Sequence, residues 1–207
     1  MKKLQRAYDE LRQLNDLSLI VYVGANGDRD QDFMSMIVRL MEFGTQGVLG
    51  GPIRPKNGKW LTIPTPLAGN KTAREIPGLF IPKGKRVLVM NNGAGFDIYF
   101  YLVKEVRIPK RPFLRPTMQM NARKYRDKMK ECVNRILIDD QFTAKMAMET
   151  LGEMVVSDVK RLIKHGRYVP NAKLTLQNKH GTKPLIDTGA MLNGVTYKVV
   201  SDSGRKL

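Results

Sequence analysis

Apolar side chains in residues 2–15 fall at Leu4, Ala7, Tyr8, Leu11 and Leu14. Spacings of three and four return to one side of a 3.6-residue turn, so this stretch is an amphipathic helix. LSLIVYV at 17–23 is a short run rich in β-branched residues, and Gly24-Ala25-Asn26-Gly27 ends it. That pattern predicts a buried strand followed by a turn. Asp30 or Asp32 can cap a second helix carrying Phe33, Met34, Ile37, Val38 and Met41, which stops at Gly44.

The texture then changes. From Thr45 to Pro82, Gly and Pro are frequent, and only KWLTIP (59–64) and GLFIP (78–82) suggest short strands. RVLVMNN (86–92) and FDIYFYLVKEVRI (96–108) flank Asn92-Gly93-Ala94-Gly95, a strong hairpin signal. PKRPFLRP (109–116) interrupts all periodicity, and Pro116 suits the first turn of the next helix. In 117–137 the apolar stripe is Met118, Ala122, Tyr125, Met129, Val133 and Ile136. Arg123, Lys124, Arg126, Lys128 and Lys130 form the opposite face. Asp139-Asp140 are placed to cap a further helix with the stripe Phe142, Met146, Leu151, Val155, Val159 and Leu162. His165-Gly166 closes it, with Gly166 as the residue after the cap. Gly152 within that helix costs about 1 kcal/mol against alanine, which points to close packing. A polar loop (167–183), a strand at 194–200 and a disordered tail at 201–207 complete the chain, with no internal repeat.

These elements predict an α+β fold. Two long helices (117–137 and 140–165) pack on one mainly antiparallel sheet built from 18–24, 86–92, 96–108 and 194–200, with parts of 59–64 and 79–82. A single domain of 207 residues is expected, with 45–108 a β-rich excursion.

Charge alters the functional picture. The chain carries a formal net charge of +17. Residues 1–44 hold six Lys/Arg against seven Asp/Glu, whereas 45–111 hold twelve against three and 112–207 eighteen against nine. An excess of this size implies a polyanionic neighbour, either nucleic acid or an acidic protein surface. The single cysteine, Cys132, allows no intramolecular disulfide and no cysteine metal cluster, which fits synthesis in a reducing cytoplasm. No run of about 18 apolar residues occurs, so no membrane span is expected. The basic N-terminus lacks the apolar segment of a signal peptide.

KPLIDTGAML (183–192) holds the Asp-Thr-Gly triplet of retroviral-type aspartic proteases, in which two such carboxylates share a proton. Only 18 residues follow Gly189, too few to complete that fold, and no second triplet exists. Asp187, Thr188 and Gly189 therefore read as a local turn, with Leu185 and Ile186 buried beside them. His165 sits at a helix end and His180 in a polar loop, neither at ligand spacing to the other or to Cys132. Asp28, Asp30 and Asp32 lack the Gly and Glu of a calcium loop. GNK (69–71) and PKGK (82–85) lack P-loop spacing. No cofactor, metal or catalytic group is expected. KRPFLRP reads as a docking segment or as a strand–helix elbow with buried Phe113 and Leu114, against the plainer possibility of a linker.

Three strings carry a resemblance. They are Glu42-Phe43-Gly44-Thr45; Ile108-Pro109-Lys110-Arg111-Pro112-Phe113-Leu114-Arg115-Pro116; and Lys183-Pro184-Leu185-Ile186-Asp187-Thr188-Gly189 followed by Leu192, Val195 and Tyr197. In this order the chain resembles the tail-completion, or neck, proteins of tailed bacteriophages, including virion-morphogenesis proteins of Mu-like prophages. It departs from their pattern at Met41 (usually Asn or His), at Gly194 (usually Ser) and in the length of 45–105. The resemblance implies a non-enzymatic virion protein, made in the host cytoplasm, that joins the DNA-filled head to the tail. It would form a homo-oligomeric ring around a channel for genomic DNA, between a connector, adaptor or portal-side protein and a tail terminator or tail tube. Phe43, Pro109, Arg111, Pro112, Phe113, Leu114 and Arg115 would then lie at partner or ring interfaces. Arg123, Lys124, Arg126, Lys128 and Lys130 would face DNA or an acidic protein. A tail terminator or another minor connector ring is the near alternative, and a basic nucleic-acid-binding protein the alternative of another class.

Overall fold

The computed structural model describes residues 2–25, 30–178 and 181–201. In chain order the elements are α1 (Lys2–Asn15), β1 (Leu17–Val23), α2 (Gln31–Leu49), β2 (Leu61–Pro64), β3 (Val87–Asn91), β4 (Phe96–Val103), α3 (Leu114–Met120), α4 (Ala122–Ile138), α5 (Ala144–His165), α6 (Lys173–Gln177), α7 (Ala190–Gly194) and β5 (Val195–Ser201). The class is α+β, with antiparallel sheets and N-terminal helices. The chain forms two compact units: residues 1–38, 112–167 and 189–207 in one, 39–111 and 168–188 in the other.

The first unit is helical. On α5 the buried residues Ala144, Ala147, Met148, Gly152, Val155, Val159 and Ile163 recur every three or four positions, which gives one continuous apolar stripe. Ala7 of α1 is buried, and Leu11, Leu14 and Met129 pack on a core of Cys132, Ile136, Phe142 and Ala147. α1 also satisfies the ends of its neighbours. Arg6 donates to the carbonyls of Ile136 (3.1 Å) and Phe142 (2.6 Å), and the Glu10 carboxylate accepts from the Ala144 amide at 2.6 Å. A cation near a helix C-terminus and an anion at an N-terminus both oppose the macrodipole favourably. β1 pairs antiparallel with β5 over their full lengths, from Leu17↔Ser201 to Val23↔Val195, and both strands pack on α5. Gly152 makes that packing possible, because a Cβ there would lie 2.6 Å from Cε2 of Tyr197.

The second unit holds a three-stranded antiparallel sheet in the order β2-β4-β3. The hairpin forms as its turn sequence predicts: Asn91 pairs with Phe96, the Asn92 amide donates to the Gly95 carbonyl (3.1 Å), and Gly93 takes φ 82°. Val89, Phe100 and Leu102 are its buried residues. The Thr65 hydroxyl donates to the carbonyls of Ile98 and Tyr99.

The expected single sheet is corrected to two. Alternation marks a segment as a strand but does not name its partner. Here β5 is the partner of β1, and β2 and β3 occupy both edges of β4. The strand expected over 96–108 ends at Val103, and 78–82 contributes only the bridge Phe80↔Val89. The helix expected over 117–137 is two helices broken at Asn121. α5 is capped by Thr143, whose hydroxyl accepts from the Met146 amide at 3.3 Å. Asp139 instead accepts from the Gln141 amide in the preceding turn. Gly166 is extended (φ −64°, ψ 147°) rather than left-handed. The disordered reading of 201–207 meets the structure only at Ser201, which ends β5; its remainder lies outside the described residues.

Candidate functional site: an interlock at the Gly44 kink

Asp30 opens α2, its carboxylate accepting from the Phe33 amide at 2.6 Å. Gly44 is a stop signal in the sequence, and the helical backbone does break there before a second helical segment follows. Gly44 takes φ 66° and ψ 175°, and the second helical segment runs to Leu49. That backbone region is accessible essentially only to glycine. The reason for the kink is a second chain segment lying against it. The Thr45 amide donates to the Ile108 carbonyl (3.0 Å), the Ile108 amide to the Thr45 hydroxyl (3.3 Å), and the Arg111 amide to the Met41 carbonyl (2.6 Å). A Cβ on Gly44 would sit 2.8 Å from the Ile108 oxygen and 2.9 Å from the Lys110 nitrogen. The strings Glu42–Thr45 and Ile108–Arg111, 63 residues apart at the Thr45–Ile108 bond, thus close on one another as a single structural feature.

The Arg111 side chain extends the interlock to a third segment. Its Nε donates to the Val169 carbonyl (2.8 Å) and Nη2 to the Pro170 carbonyl (3.0 Å). Arg111 is 6% exposed and Glu42 3%. Burial lowers the Arg111 pKa from its usual range. Burial, and then the Glu42 charge, push the Tyr168 phenol up to about 12. A buried guanidinium held by two carbonyls fixes geometry and offers no acid–base chemistry near neutral pH.

The structure divides the expected interface residues. Phe43, Pro109 and Arg115 are exposed, Phe43 by 43%, whereas Pro112 and Leu114 are half-buried. The expectation of a partner surface is corrected for Arg111 and for Phe113. Phe113 is 0% exposed at the start of α3, where its carbonyl accepts from the Thr117 hydroxyl at 2.6 Å, and Arg111 is occupied inside the interlock. Of the readings open for KRPFLRP, the elbow with a buried Phe113 is the one formed.

Asp187 and Thr188 are exposed, Leu185 is 6% exposed and Ile186 half-buried. Gly189, at φ 83°, starts α7 and accepts from the Asn193 amide at 2.9 Å. Asp-Thr-Gly is thus a turn into the last helix and strand, as its local signals predict.

The basic residues of α4 do not form a bare cationic face. Arg123 and Lys130 lie 3.8 Å from Asp127, Lys128 lies 2.8 Å from Glu131, and Lys124 holds Asp158 at 2.6 Å. Only Arg126 of the five has no acidic side chain within 4 Å among the described residues. Asp158 escapes a reading of the sequence. Its side chain is 3% exposed, and besides Lys124 it accepts from the Tyr125 hydroxyl (3.1 Å) and faces Arg161 (3.3 Å). Its signal is an aspartate within the apolar stripe of a long helix. Burial and then the Asp158 charge raise the Tyr125 pKa.

Cys132 is buried, and burial raises its thiol pKa, so it is core. His165 is exposed at the end of α5, while His180 and Asp28 lie outside the described residues. Among the described residues no three His, Cys, Asp or Glu side chains converge as metal ligands, and no helix is long and apolar enough to cross a membrane. No family model, curated protein or solved structure matches the chain.

Proposed function

We propose that this chain is a structural neck protein of a tailed-phage virion, a ring subunit that joins the filled head to the tail around the DNA channel. The observation that carries the reading is the interlock. Two of the three strings by which the chain resembles tail-completion proteins, 42–45 and 108–111, lie against each other through paired backbone bonds. The third forms the turn into α7 and β5. The bonds of Met41, Thr45, Ile108 and Arg111 hold chain segments together, and exposed Phe43 and Pro109 flank them as contact surface. Partners in this reading are further copies of the chain, a connector or adaptor above and a tail terminator or tail tube below. A tail terminator or another minor connector ring would use the same features.

The test is electron microscopy of lysates from the phage carrying an early stop codon in this gene. Filled heads beside finished, unattached tails are expected, and a plasmid copy should restore plaques. Normal virions would overturn the reading.

A further inference from the structure

The sheet of the first unit has two strands, β1 and β5, so each presents an outer edge. The bonding of β1 shows which of its groups lie on that edge. The Gly24 amide donates to the Gly194 carbonyl at 2.8 Å, one pair beyond Val23↔Val195. Along an antiparallel strand the backbone groups of successive residues point alternately to one side and the other. Ser18, Ile20 and Tyr22 therefore bond to β5, and the N–H and C=O of Leu17, Leu19, Val21 and Val23 point away from it. Gln31 reaches the Val23 carbonyl through Nε2 at 3.1 Å. Those of Leu17, Leu19 and Val21 meet no hydrogen-bond partner among the described residues. Edge strands are ordinarily blunted by a lysine, a proline or a bulge. β5 carries Lys198, whereas β1 reads LSLIVYV in unbroken register and has none of these.

We infer that the outer edge of β1 docks the same strand of a second copy of the chain, antiparallel and about a two-fold axis at Leu19. Unmet N–H and C=O groups in a row call for an extended backbone, and β1 is its own complement. Leu19 meets Leu19, and Leu17 of each copy meets Val21 of the other. Three donors from each copy thus find three acceptors, and six backbone bonds close. The product is one sheet in the order β5-β1-β1-β5, whose remaining edges are the lysine-bearing β5 strands. Charge fits the same register. Tyr197 packs against Gly152 of α5 and pairs with Val21, so odd-numbered side chains of β1 face α5 and even-numbered ones the opposite side. On that opposite side Asp16 of one copy falls across from Tyr22 of the other, and Lys198 lies 5.8 Å from the centroid of that Tyr22 ring. Asp16 and Lys198 are both exposed, and neither has an oppositely charged side chain within 4 Å among the described residues. The two-fold brings each carboxylate to the tyrosine that carries the ammonium, once on either side of the axis. The inference goes beyond the neck reading and does not rest on it. A two-fold contact closes on itself and cannot propagate around a ring, so the pair is a state of the free chain.

The test is sedimentation equilibrium of the full chain, with amide exchange followed by NMR. A strand pair is a small interface, so dissociation is expected at about 1–100 µM. Across that range wild type should pass from 23.5 kDa to twice that mass. The Leu19 and Val21 amides should gain protection as concentration rises, and the outward Tyr197 and Val199 amides of β5 should not. Asp16→Lys should weaken the dimer by at least about fivefold, since it turns two attractive pairs per dimer into repulsive ones. Adding Lys198→Glu should restore it. Both side chains are exposed, so the variants should melt as wild type does, which excludes misfolding as the cause. A monomer at about 100 µM overturns the inference. So does a dimer that protects Tyr197 and Val199 instead of Leu19 and Val21, which would mean strand addition at β5. A dimer that protects neither pair would mean contact through another surface, and a charge swap without rescue would remove the register; both also overturn it. None of these outcomes bears on head–tail joining, which the stop-codon phage tests separately.

Discussion

Substituting Gly44 by alanine tests the interlock directly. Two costs add at this position. The backbone at φ 66° and ψ 175° is strained for any residue with a Cβ, by about 1–3 kcal/mol. The new methyl would also meet the Ile108 oxygen at 2.8 Å and the Lys110 nitrogen at 2.9 Å. Both are backbone atoms of a segment held by the bonds to Thr45 and Met41, so neither can yield as the tip of a side chain would. Overpacking of this kind adds about 1–3 kcal/mol. Gly50→Ala is the matched control. Gly50 also has positive φ, at 70°, but nothing lies within 4 Å of its would-be Cβ. It should lose only about 1–2 kcal/mol from backbone conformation. Trp60, the single tryptophan, belongs to the same unit as both glycines, so its fluorescence in urea reads the relevant transition. With an m-value near 2 kcal/mol/M, Gly44→Ala should lower the midpoint by about 1–3 M, and Gly50→Ala by less than about 1 M. Equal shifts for the two variants would mean that 108–110 does not press on the kink, and the interlock would lose its physical basis.

Two further outcomes follow from the packing and from the titrating groups. Gly152→Ala should destabilise the wild-type protein, because the Tyr197 ring fills the space a methyl would need, yet in a Tyr197→Ala background the same change should stabilise by about 1 kcal/mol through helix propensity; a thermal-melt cycle without that reversal of sign would remove Tyr197 as the obstacle. Tyr168 has a pKa raised to about 12, so the folded state holds its proton more tightly than the unfolded state does near pH 10. Its contribution is complete below pH 10 and is lost as pH rises through about 12. Tyr168→Phe should flatten that alkaline decline in urea midpoints, and parallel declines for the two proteins would contradict the burial of the Tyr168 phenol beside Glu42.

Much of the fold is legible because its signals are local. The helix over 2–15, the Asn92–Gly95 turn and the last strand each depend on a few neighbouring residues, and each forms, though Leu4 and Tyr8 of the helix stay exposed. Pairing is not legible, since a strand such as 17–23 carries no mark that says its partner is 195–201. Capping fails for a related reason. Asp139-Asp140 look like a cap in isolation, but Thr143 lies nearer the first turn of α5, and Glu10, 134 residues away in sequence, occupies the first helical amide. Exposure is misjudged at Arg111, and the burial of Phe113 is left as one of two readings, because proline and charge on both sides suggest a surface loop. Nothing local shows that two carbonyls at 169 and 170 will wrap the guanidinium.

The pairing of the α4 cations has an available signal in the sequence. Five cations within eight residues make 123–130 conspicuous, yet Asp127 and Glu131 stand three or four positions from Arg123, Lys128 and Lys130, the spacing at which helical charges meet. The stretch 159–167 has fewer cations and no acid at all. For a chain at +17 the density of Lys and Arg is a poor guide, since many of them are compensated by neighbours on their own helix. The field that a polyanion meets is set where acids are sparse. In the last turn of α5, Lys164 and His165 complement the helix dipole instead.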